Sequence, residues 1–431
     1  MVIADDLTGA AECAAACAVR GFRATVLLHS RGDRITRQPD ADVLAIDADT
    51  RRLSAEQAAA ITADLIQIWT MSDGSSAGFI FKKLDSTLRG NFAAELAALL
   101  RVRSDMASNA KEVSIVMAPA LPAQGRTTVG GFQLLHGRTL EESDIARDDT
   151  RGPRSDIAAA LAEAGLSCVL IDLETVRSGL SGLQNAMTDL APQADVILCD
   201  AETDDDLHAI AQASMVLGER MVWAGSAGLV GHLPHAIKMV AKGRDQGPVD
   251  IAPGPTLFVV GSCAATSREQ ARMLTAIPDV VTVHFVHGSF IDDQTACERV
   301  RGGLLSGRDV LVVADEYKRF SGDETLLLKA LTKTMAECAP ILGGLVMTGG
   351  ETARSILNHL GIRRLRQLDE VEAGLPFSVA DGWARPLPVL TKAGGFGSPL
   401  TLVRCRDFLQ RLERVSARPG VAPSPFVFRG K

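Results

Sequence analysis

Aromatic side chains are scarce in this chain. They make up 4% of its 431 residues, and Tyr317 is the only tyrosine. A surface that stacks nucleic-acid bases on aromatic rings is therefore not expected. The formal net charge of −7 also argues against a sequence-independent grip on a phosphate backbone, although a local cluster of cations can still bind a small anion. We therefore expect small-molecule partners and no nucleic acid.

Long apolar runs and closely paired cysteines are also missing. No apolar run approaches the length that a membrane-spanning helix needs, and the chain opens with a strand-like segment rather than a signal peptide. The eight cysteines include no Cys-x-x-Cys pair. Together these absences predict a cytoplasmic protein with reduced thiols and no membrane partner.

Apolar runs typical of buried strands alternate with helical segments in both halves of the chain. Such runs occupy residues 2–4, 43–46, 78–81, 113–117, 256–260 and 345–347. The alternation predicts an α/β fold with two domains, each built on a mainly parallel sheet flanked by helices. The segment 241–256 is rich in glycine, proline and charge, which predicts a linker between a first domain at 1–240 and a second at 257–431.

A dense group of polar residues follows the predicted strand at 78–81. Its members are Lys82, Lys83, Asp85, Ser86, Thr87 and Arg89. Gly90 then allows a sharp backbone turn. Because ligands of open α/β sheets bind beyond the carboxyl ends of strands, this loop predicts a site for a small, charged, hydroxylated molecule. The alternative is a solvated loop that carries ordinary surface charge.

Two adjacent carboxylates, Asp5 and Asp6, follow the first predicted strand. Successive side chains of a strand point to opposite faces, so one carboxylate could face a ligand while the other accepts N–H groups at the start of the next helix. A carboxylate beside a substrate hydroxyl can serve as the general base in phosphoryl transfer. For each residue the catalytic and the capping interpretations stay open.

A polar loop after the predicted strand at 113–117 carries Arg126 and Thr127. An arginine can grip a carboxylate through two parallel hydrogen bonds. The alternative is a surface arginine in an ordinary loop, and proximity to the charged loop at 83–91 would decide between the two. Both residues are therefore candidate substrate ligands.

Glycine-rich turns follow the predicted strands of the second half. They are Gly261-Ser262, Gly349-Gly350-Glu351-Thr352 and Gly394-Gly395. Backbone N–H groups in such turns, together with a helix N-terminus, can bind phosphates without basic side chains. Neither the P-loop pattern nor the dinucleotide-binding fingerprint occurs in the chain. The turns therefore favour a nucleotide site that uses neither motif.

These segments resemble the four-carbon acid sugar kinase family. The resemblance rests on Ile3-Ala4-Asp5-Asp6-Leu7-Thr8-Gly9-Ala10, on Lys83-Leu84-Asp85-Ser86-Thr87-Leu88-Arg89-Gly90-Asn91, on Gly125-Arg126-Thr127 and on the glycine-rich turns. It implies an acid-sugar domain followed by an ATP domain, with the active site in the interdomain cleft. It also implies transfer of the γ-phosphate of ATP, with Mg²⁺, to the 4-hydroxyl of threonate, erythronate or 3-oxo-tetronate.

The resemblance also suggests roles for individual residues. Asp5 or Asp6 would orient or deprotonate the 4-hydroxyl. The substrate ligands would be Lys83, Asp85, Ser86, Arg89, Gly90, Arg126 and Thr127. The ATP ligands would be Ser262, Gly349, Gly350, Glu351, Thr352, Gly394 and Gly395. The chain departs from the family at Ala11-Glu12, where many relatives carry an aspartate, so the acid and its stereochemistry stay open.

The pathway partner, the assembly and two alternative functions can also be predicted. The resemblance implies a PdxA-like dehydrogenase as the next enzyme of the pathway, and a homodimer is one option for the assembly. A rival interpretation is a non-catalytic sensor that binds a sugar acid and a nucleotide. An NAD-linked enzyme on the same fold class is disfavoured because the dinucleotide fingerprint is missing.

Overall fold

The apolar runs of the sequence form buried strands in the computed structural model, which describes residues 1–30, 40–73, 79–106, 113–143, 154–237, 251, 253–262, 264–285, 290–314, 324–383 and 385–416. The strands are β1 (Val2–Ala4), β2 (Ala24–Leu28), β3 (Val43–Asp47), β4 (Phe81–Lys83), β5 (Ser114–Ala118), β6 (Arg126–Val129), β7 (Phe132–Leu135), β8 (Arg138–Thr139), β9 (Cys168–Ile171), β10 (Val196–Cys199), β11 (Met221–Gly225), β12 (Thr256–Val260), β13 (Val280–Phe285), β14 (Asp309–Ala314), β15 (Gly344–Thr348), β16 (Arg364–Glu370), β17 (Pro376–Ala380) and β18 (Leu387–Lys392). The helices are α1 (Leu7–Ala18), α2 (Ala55–Asp73), α3 (Phe92–Met106), α4 (Ile157–Glu163), α5 (Leu173–Val176), α6 (Leu180–Leu190), α7 (Asp204–Ser214), α8 (Ala227–Val230), α9 (Leu233–Ala236), α10 (Ala265–Thr275), α11 (Phe290–Leu305), α12 (Glu324–Cys338), α13 (Gly350–His359) and α14 (Thr401–Ser416).

These elements belong to two structural units. The first comprises Met1–Phe22 and His29–Ala241, and the second comprises Arg23–Leu28 and Lys242–Lys431. The predicted two-domain α/β architecture is confirmed. The second unit also takes up β2 from near the N-terminus, which the sequence did not indicate. The linker predicted at 241–256 lies largely outside the described residues, so its limits stay predictions.

The first unit contains a parallel sheet in the order β3-β1-β4-β11-β5-β10-β9. Most of its strands are buried on both faces, which explains why they read as continuous apolar runs. From β1 the chain proceeds to β3 on one side and later to β4 on the other. Strand β1 is therefore the topological switch point, beside which ligands of open α/β sheets usually bind.

Strand β4 differs from its prediction, because it begins at the last residue of the apolar run at 78–81 and continues through Lys82 and Lys83. The Lys82 side chain is completely buried, and its ammonium lies 3.1 Å from the carboxylate of Glu95 on α3. This internal ion pair compensates the buried charge. The expectation that Lys82 binds a ligand is therefore wrong. Lys83 follows it in the strand and points to the opposite face.

The second unit contains a mixed sheet. Strands β13-β14-β12-β15-β18 run parallel, and β18-β17-β16-β2 continue the sheet with antiparallel pairs. Phe258, Val346 and Leu390 of this sheet are buried in one core with Phe408 of α14. The chain leaves β12 toward β14 on one side and β15 on the other, so this sheet has its own switch point. The glycine-rich turns after β12, β15 and β18 follow neighbouring strands there.

No helix in the described part of the chain is both long enough and apolar enough to cross a bilayer.

Candidate functional site

Asp6 caps helix α1 in the first unit. Its Oδ1 accepts a hydrogen bond from the backbone N–H of Gly9 at 2.8 Å, and its Oδ2 accepts one from the Thr8 hydroxyl at 2.6 Å. A Cβ on Gly9 would lie 2.8 Å from Asp6 Oδ1 and 3.0 Å from Lys83 Nζ, so glycine permits this close approach. The capping interpretation of Asp6 is therefore confirmed.

Arg51, in the loop after β3, holds the carboxylates that follow β1. Its Nε and Nη2 donate to the two oxygens of Asp5 at 2.7 and 3.0 Å, and its Nη1 donates to Asp6 Oδ2 at 2.7 Å. Its Nη2 also lies 3.5 Å from Asp85 Oδ1. Burial works to raise the pKa of Asp6, but Arg51 and Lys83 outweigh it and the pKa is lowered. The sequence did not single out Arg51, because its role depends on β3 lying beside β1.

The turn after β4 brings Asp85 and Arg89 together. Nε and Nη2 of Arg89 donate to the two oxygens of Asp85 at 2.7 and 2.9 Å. Burial works to raise the pKa of Asp85, but Arg89 and Arg51 hold it well below its usual range. Leu88 and Gly90 adopt positive φ angles of 56° and 89° in this turn. A Cβ on Gly90 would lie 3.2 Å from Asp5 Oδ2, so the turn approaches the carboxylate after β1 directly.

Lys83 and Glu12 lie beside this ion-pair network. Lys83 is buried and donates from Nζ to the carbonyl of Leu84 at 2.8 Å. Its burial works to lower the pKa, but Glu12 and the neighbouring acidic groups raise it. Glu12, on α1, is half-buried, and its carboxylate makes no hydrogen bond or ion pair with any other residue that the structure describes. Burial, assisted by Asp6 and Asp85, raises the pKa of Glu12 to about 7.

Arg126, at the start of β6, forms no ion pair with any carboxylate in the described part of the chain. Its Nη1 donates to the carbonyl and side-chain oxygens of Gln124 at 2.7 and 2.9 Å, and its buried Nε has no partner in the described part of the molecule. Burial lowers the pKa of Arg126, with Arg89 adding like-charge repulsion, although Asp85 and Glu12 oppose the shift. Arg126 therefore lies close enough to Asp85, Glu12 and Arg89 to interact with them electrostatically, and its role as a substrate ligand stays a prediction.

The remaining substrate candidates lie on the same loops. Ser86 is half-buried, and its carbonyl accepts a hydrogen bond from Gln133 of β7 at 2.8 Å. Thr127 is also half-buried and pairs with Leu134 in the small antiparallel sheet β6-β7-β8. Gln133 thus ties the turn after β4 to the sheet that carries Arg126.

The glycine-rich turns of the second unit lie against one another. A Cβ on Gly261 would lie 2.0 Å from Thr352 Oγ1, and a Cβ on Gly394 would lie 1.9 Å from Ser262 Oγ, so both contacts require glycine. Gly349 has a φ angle of 92° and precedes α13, whose first turn has no side-chain cap. This uncapped helix start, framed by close-packed backbone, has the features of an anion site. Of the other candidates, Gly350 opens α13, while Glu351 and Gly395 are exposed.

Lys392 organises the turn that follows β18. Its buried ammonium donates to the carbonyls of Ala393, Gly394 and Phe396 at 2.8, 3.2 and 2.9 Å. Burial lowers the pKa of Lys392 to about 8. From α10, Ser267 Oγ donates to the same Gly394 carbonyl at 2.6 Å. The segment from Lys392 to Gly397 was predicted as a nucleotide-binding turn for its glycines, and no role was assigned to Lys392.

A resident metal ion would need its own protein ligands. Within the described ranges, no three His, Cys, Asp or Glu side chains are grouped so that they could hold one. Asp5, Asp6 and Asp85 are instead bound to arginines. These residues therefore do not fit a metal site built from protein side chains.

Comparisons with known proteins match the two halves of the chain to two domain families. Residues 1–233 match the family described as a sugar-binding N-terminal domain, and residues 257–402 match the one described as a nucleotide-binding C-terminal domain. A D-threonate kinase of Cupriavidus necator is 38% identical over 93% of this chain and 96% of that protein. A D-threonate kinase of Salmonella typhimurium is 31% identical over 96% of this chain and 98% of that protein.

The fold has a solved counterpart. A crystal structure from Salmonella typhimurium, described as a putative tRNA synthase, superposes with a TM-score of 0.77 at 22% identity, covering 94% of this chain and 98% of that one. This likeness concerns the fold alone. The two domain matches and the relatives that span nearly the whole chain establish the family: the chain belongs to the four-carbon acid sugar kinases.

Proposed function

We propose that this protein transfers the γ-phosphate of ATP to the 4-hydroxyl of a four-carbon sugar acid, with D-threonate as its substrate. The choice of D-threonate follows the names of the relatives at 38% and 31% identity. The charged site of the first unit would hold the acid, and the glycine-rich turns of the second would hold the nucleotide.

The unpartnered Nε of Arg126 is the observation that carries this proposal. The other arginines of the site, Arg51 and Arg89, already hold carboxylates of the protein. Arg126 instead has a buried Nε without a partner in the described residues. A half-buried guanidinium with a buried, unpartnered N–H is stabilised by an incoming anion, and a carboxylate matches its geometry. The acid would therefore bind with its carboxylate at Arg126, with Arg89 nearby.

The hydroxyls of the acid would meet the turn after β4. Ser86 and the Asp85 carboxylate offer a donor and an acceptor there, and Thr127 offers a second hydroxyl beside Arg126. Lys83 would add positive charge on the same side of the sheet. Gly90 would contribute by letting the turn approach Asp5, as its φ angle of 89° allows.

The nucleotide would bind at the switch point of the second unit. Ser262, Gly349, Gly350 and Thr352 would surround its phosphates, while Gly394 and Gly395 would bring backbone N–H groups close to them. Glu351 lies in the first turn of α13, at the edge of this site. Mg²⁺ would arrive on the phosphates, because this cation keeps several waters and needs few protein ligands.

A coupled assay of ADP release tests the proposal. It would compare D- and L-threonate, D- and L-erythronate and 3-oxo-tetronates as acceptors. We expect D-threonate to give the highest kcat/KM. A sensor would instead bind the acid and ATP in calorimetry without producing ADP. If no acid increased ADP release, the kinase proposal would be wrong for this chain.

Replacing Arg126 with methionine should raise the KM for the acid. Loss of a hydrogen-bonded charge costs about 1.5–3 kcal/mol, or roughly tenfold to 150-fold in KM. The KM for ATP should change little. Arg138→Met is the matched control, because Arg138 is exposed on β8 of the same small sheet. An unchanged acid KM in Arg126→Met would remove Arg126 from the substrate site.

A further inference from the structure

The carboxylates that follow β1 already accept several hydrogen bonds from the protein. Both oxygens of Asp5 accept hydrogen bonds from Arg51, and the oxygens of Asp6 accept them from Gly9, Thr8 and Arg51. Hydrogen bonds to a carboxylate stabilise its charged form and weaken it as a base. The lowered pKa of Asp6 agrees with this. The reaction therefore needs a different proton acceptor.

The carboxylate of Glu12, unlike those of Asp5 and Asp6, is not held by hydrogen bonds from other described residues. Glu12 lies one helical turn after Gly9, the residue whose missing side chain leaves room for Lys83 Nζ. Its carboxylate is half-buried and has no hydrogen-bond or ion-pair partner among the described residues. A carboxylate that is desolvated but unpaired can accept a proton readily at neutral pH.

Charged groups from several elements act on Glu12. Lys83 of β4 and Arg126 of β6 favour its ionised form, while Asp6 and Asp85 oppose it. The neighbouring Cys13 is a buried thiol whose pKa is raised by burial, so it stays neutral. The net effect raises the pKa of Glu12 to about 7, where a general base works best.

We propose that Glu12 is the group that accepts the proton of the substrate hydroxyl during phosphoryl transfer. This inference rests on the kinase function proposed above. The hydroxyl oxygen of the acid forms a bond to the γ-phosphorus of ATP, and the bond from that phosphorus to the β,γ-bridging oxygen breaks. The electron pair of the broken bond leaves with ADP, and the hydroxyl proton moves to the Glu12 carboxylate. Asp5, Asp6 and Arg51 then serve as positioning residues.

The test replaces Glu12 with glutamine in the full chain. The probe is the acid that gives the highest turnover with ATP in the assay of ADP release. Removal of a general base typically lowers the rate by about 100-fold to 10,000-fold, so kcat should fall within that range. The KM for ATP should stay within about threefold. Glu163→Gln is the matched control, because Glu163 is exposed at the end of α4 in the same unit.

The pH profile separates a proton acceptor from a structural residue. In the native protein kcat/KM for the acid should rise as pH increases through about 7, because Glu12 must lose its proton before it can act. Glu12→Gln should lose this rise, and Glu12→Asp should keep it at a lower rate because it retains a carboxylate. Thermal unfolding and ATP binding report whether Glu12→Gln is folded.

The kinetics of the two Glu12 variants decide whether Glu12 is the proton acceptor. Native-like kcat in Glu12→Gln, or a rise with pH that persists in it, would overturn the role of Glu12 while leaving the kinase function intact. If Glu12→Gln does not fold, loss of the rise in a folded Glu12→Asp variant would overturn the role instead, and its retention would support it. Absence of acid-dependent ADP release in the native protein would overturn both proposals.

Discussion

Arg51→Met should lower the free energy of unfolding by about 3 kcal/mol, because removing one partner of a buried ion pair leaves uncompensated charge. We expect the lower end of the usual range, since 21% of the Arg51 side chain is exposed. The substitution leaves Asp5 and Asp6 without a cation that both now share. Denaturant unfolding of both proteins at neutral pH measures the difference.

The difference in stability between the native protein and Arg51→Met should also become smaller as the pH falls. In the native protein the lowered pKa values of Asp6 and Asp85 give stability that is complete above about pH 4 and is lost as the pH falls through their folded values. Loss of Arg51 removes one cation that lowers both pKa values, so they should be higher in the variant, although Arg89 still acts on Asp85 and Lys83 on Asp6. The two carboxyls then take up protons at a higher pH in the variant than in the native protein. The free energies of unfolding of the native protein and the variant should therefore converge as the pH falls into the acid range.

Arg272→Met is the control for this experiment. Arg272 pairs with Glu269 on α10, and 68% of its side chain is exposed. An exposed pair of this kind contributes at most about 1 kcal/mol. Equal effects of the two substitutions would contradict the role assigned to Arg51, as would a gap that widens toward acid pH.

Lys392→Met should raise the KM for ATP by about tenfold to a hundredfold, because small misplacements of a binding loop reduce activity by such factors. The ammonium holds the carbonyls of Ala393, Gly394 and Phe396, so its loss frees the turn that we propose for the phosphates. The KM for the acid should stay close to the native value. Steady-state kinetics with each substrate varied in turn measures both constants.

The native protein should show the same effect as a function of pH. Lys392 has a pKa lowered to about 8 by burial, so the ammonium becomes a neutral amine as the pH rises through that value. Glu372 and Cys405, which also act on this pKa, favour the charged form. The KM for ATP should therefore rise above about pH 8 in the native protein and stay flat in Lys392→Met.

Lys333→Met is the control, since Lys333 is exposed on α12 of the same unit. A variant that lost acid affinity and ATP affinity equally would indicate general disruption rather than a local role. An unchanged KM for ATP in Lys392→Met would contradict the proposal that Lys392 holds the phosphate-binding turn.

Local sequence predicted most strands, because parallel strands buried on both faces leave continuous apolar runs such as those of β5 and β12. It failed at β4, where two lysines continue a buried strand. Lys82 is tolerated there only because Glu95, on the next helix, compensates its charge. A partner separated in sequence and supplied by another element cannot be read from the run itself.

The site was partly visible in the sequence for the same reason. Charged loops and glycine pairs after strands identified the right segments, because ligand sites of α/β sheets lie at strand ends. The sequence did not show which charged side chains are paired with other residues of the protein and which remain available to a ligand. Arg51 neutralises Asp5 and Asp6 only because β3 pairs with β1, which places Ala45 opposite Val2. Glu12 and Lys392 became candidates only once their surroundings were known.

A crystal structure with bound ADP and D-threonate would test the central claim most directly. We expect the acid in the first unit, with its carboxylate at Arg126 and its terminal hydroxyl within hydrogen-bonding distance of Glu12. We expect the ADP phosphates at Ser262, Gly349 and Gly394 of the second unit. A nucleotide bound among the charged turns after β1 and β4, or an acid carboxylate far from Arg126, would contradict it.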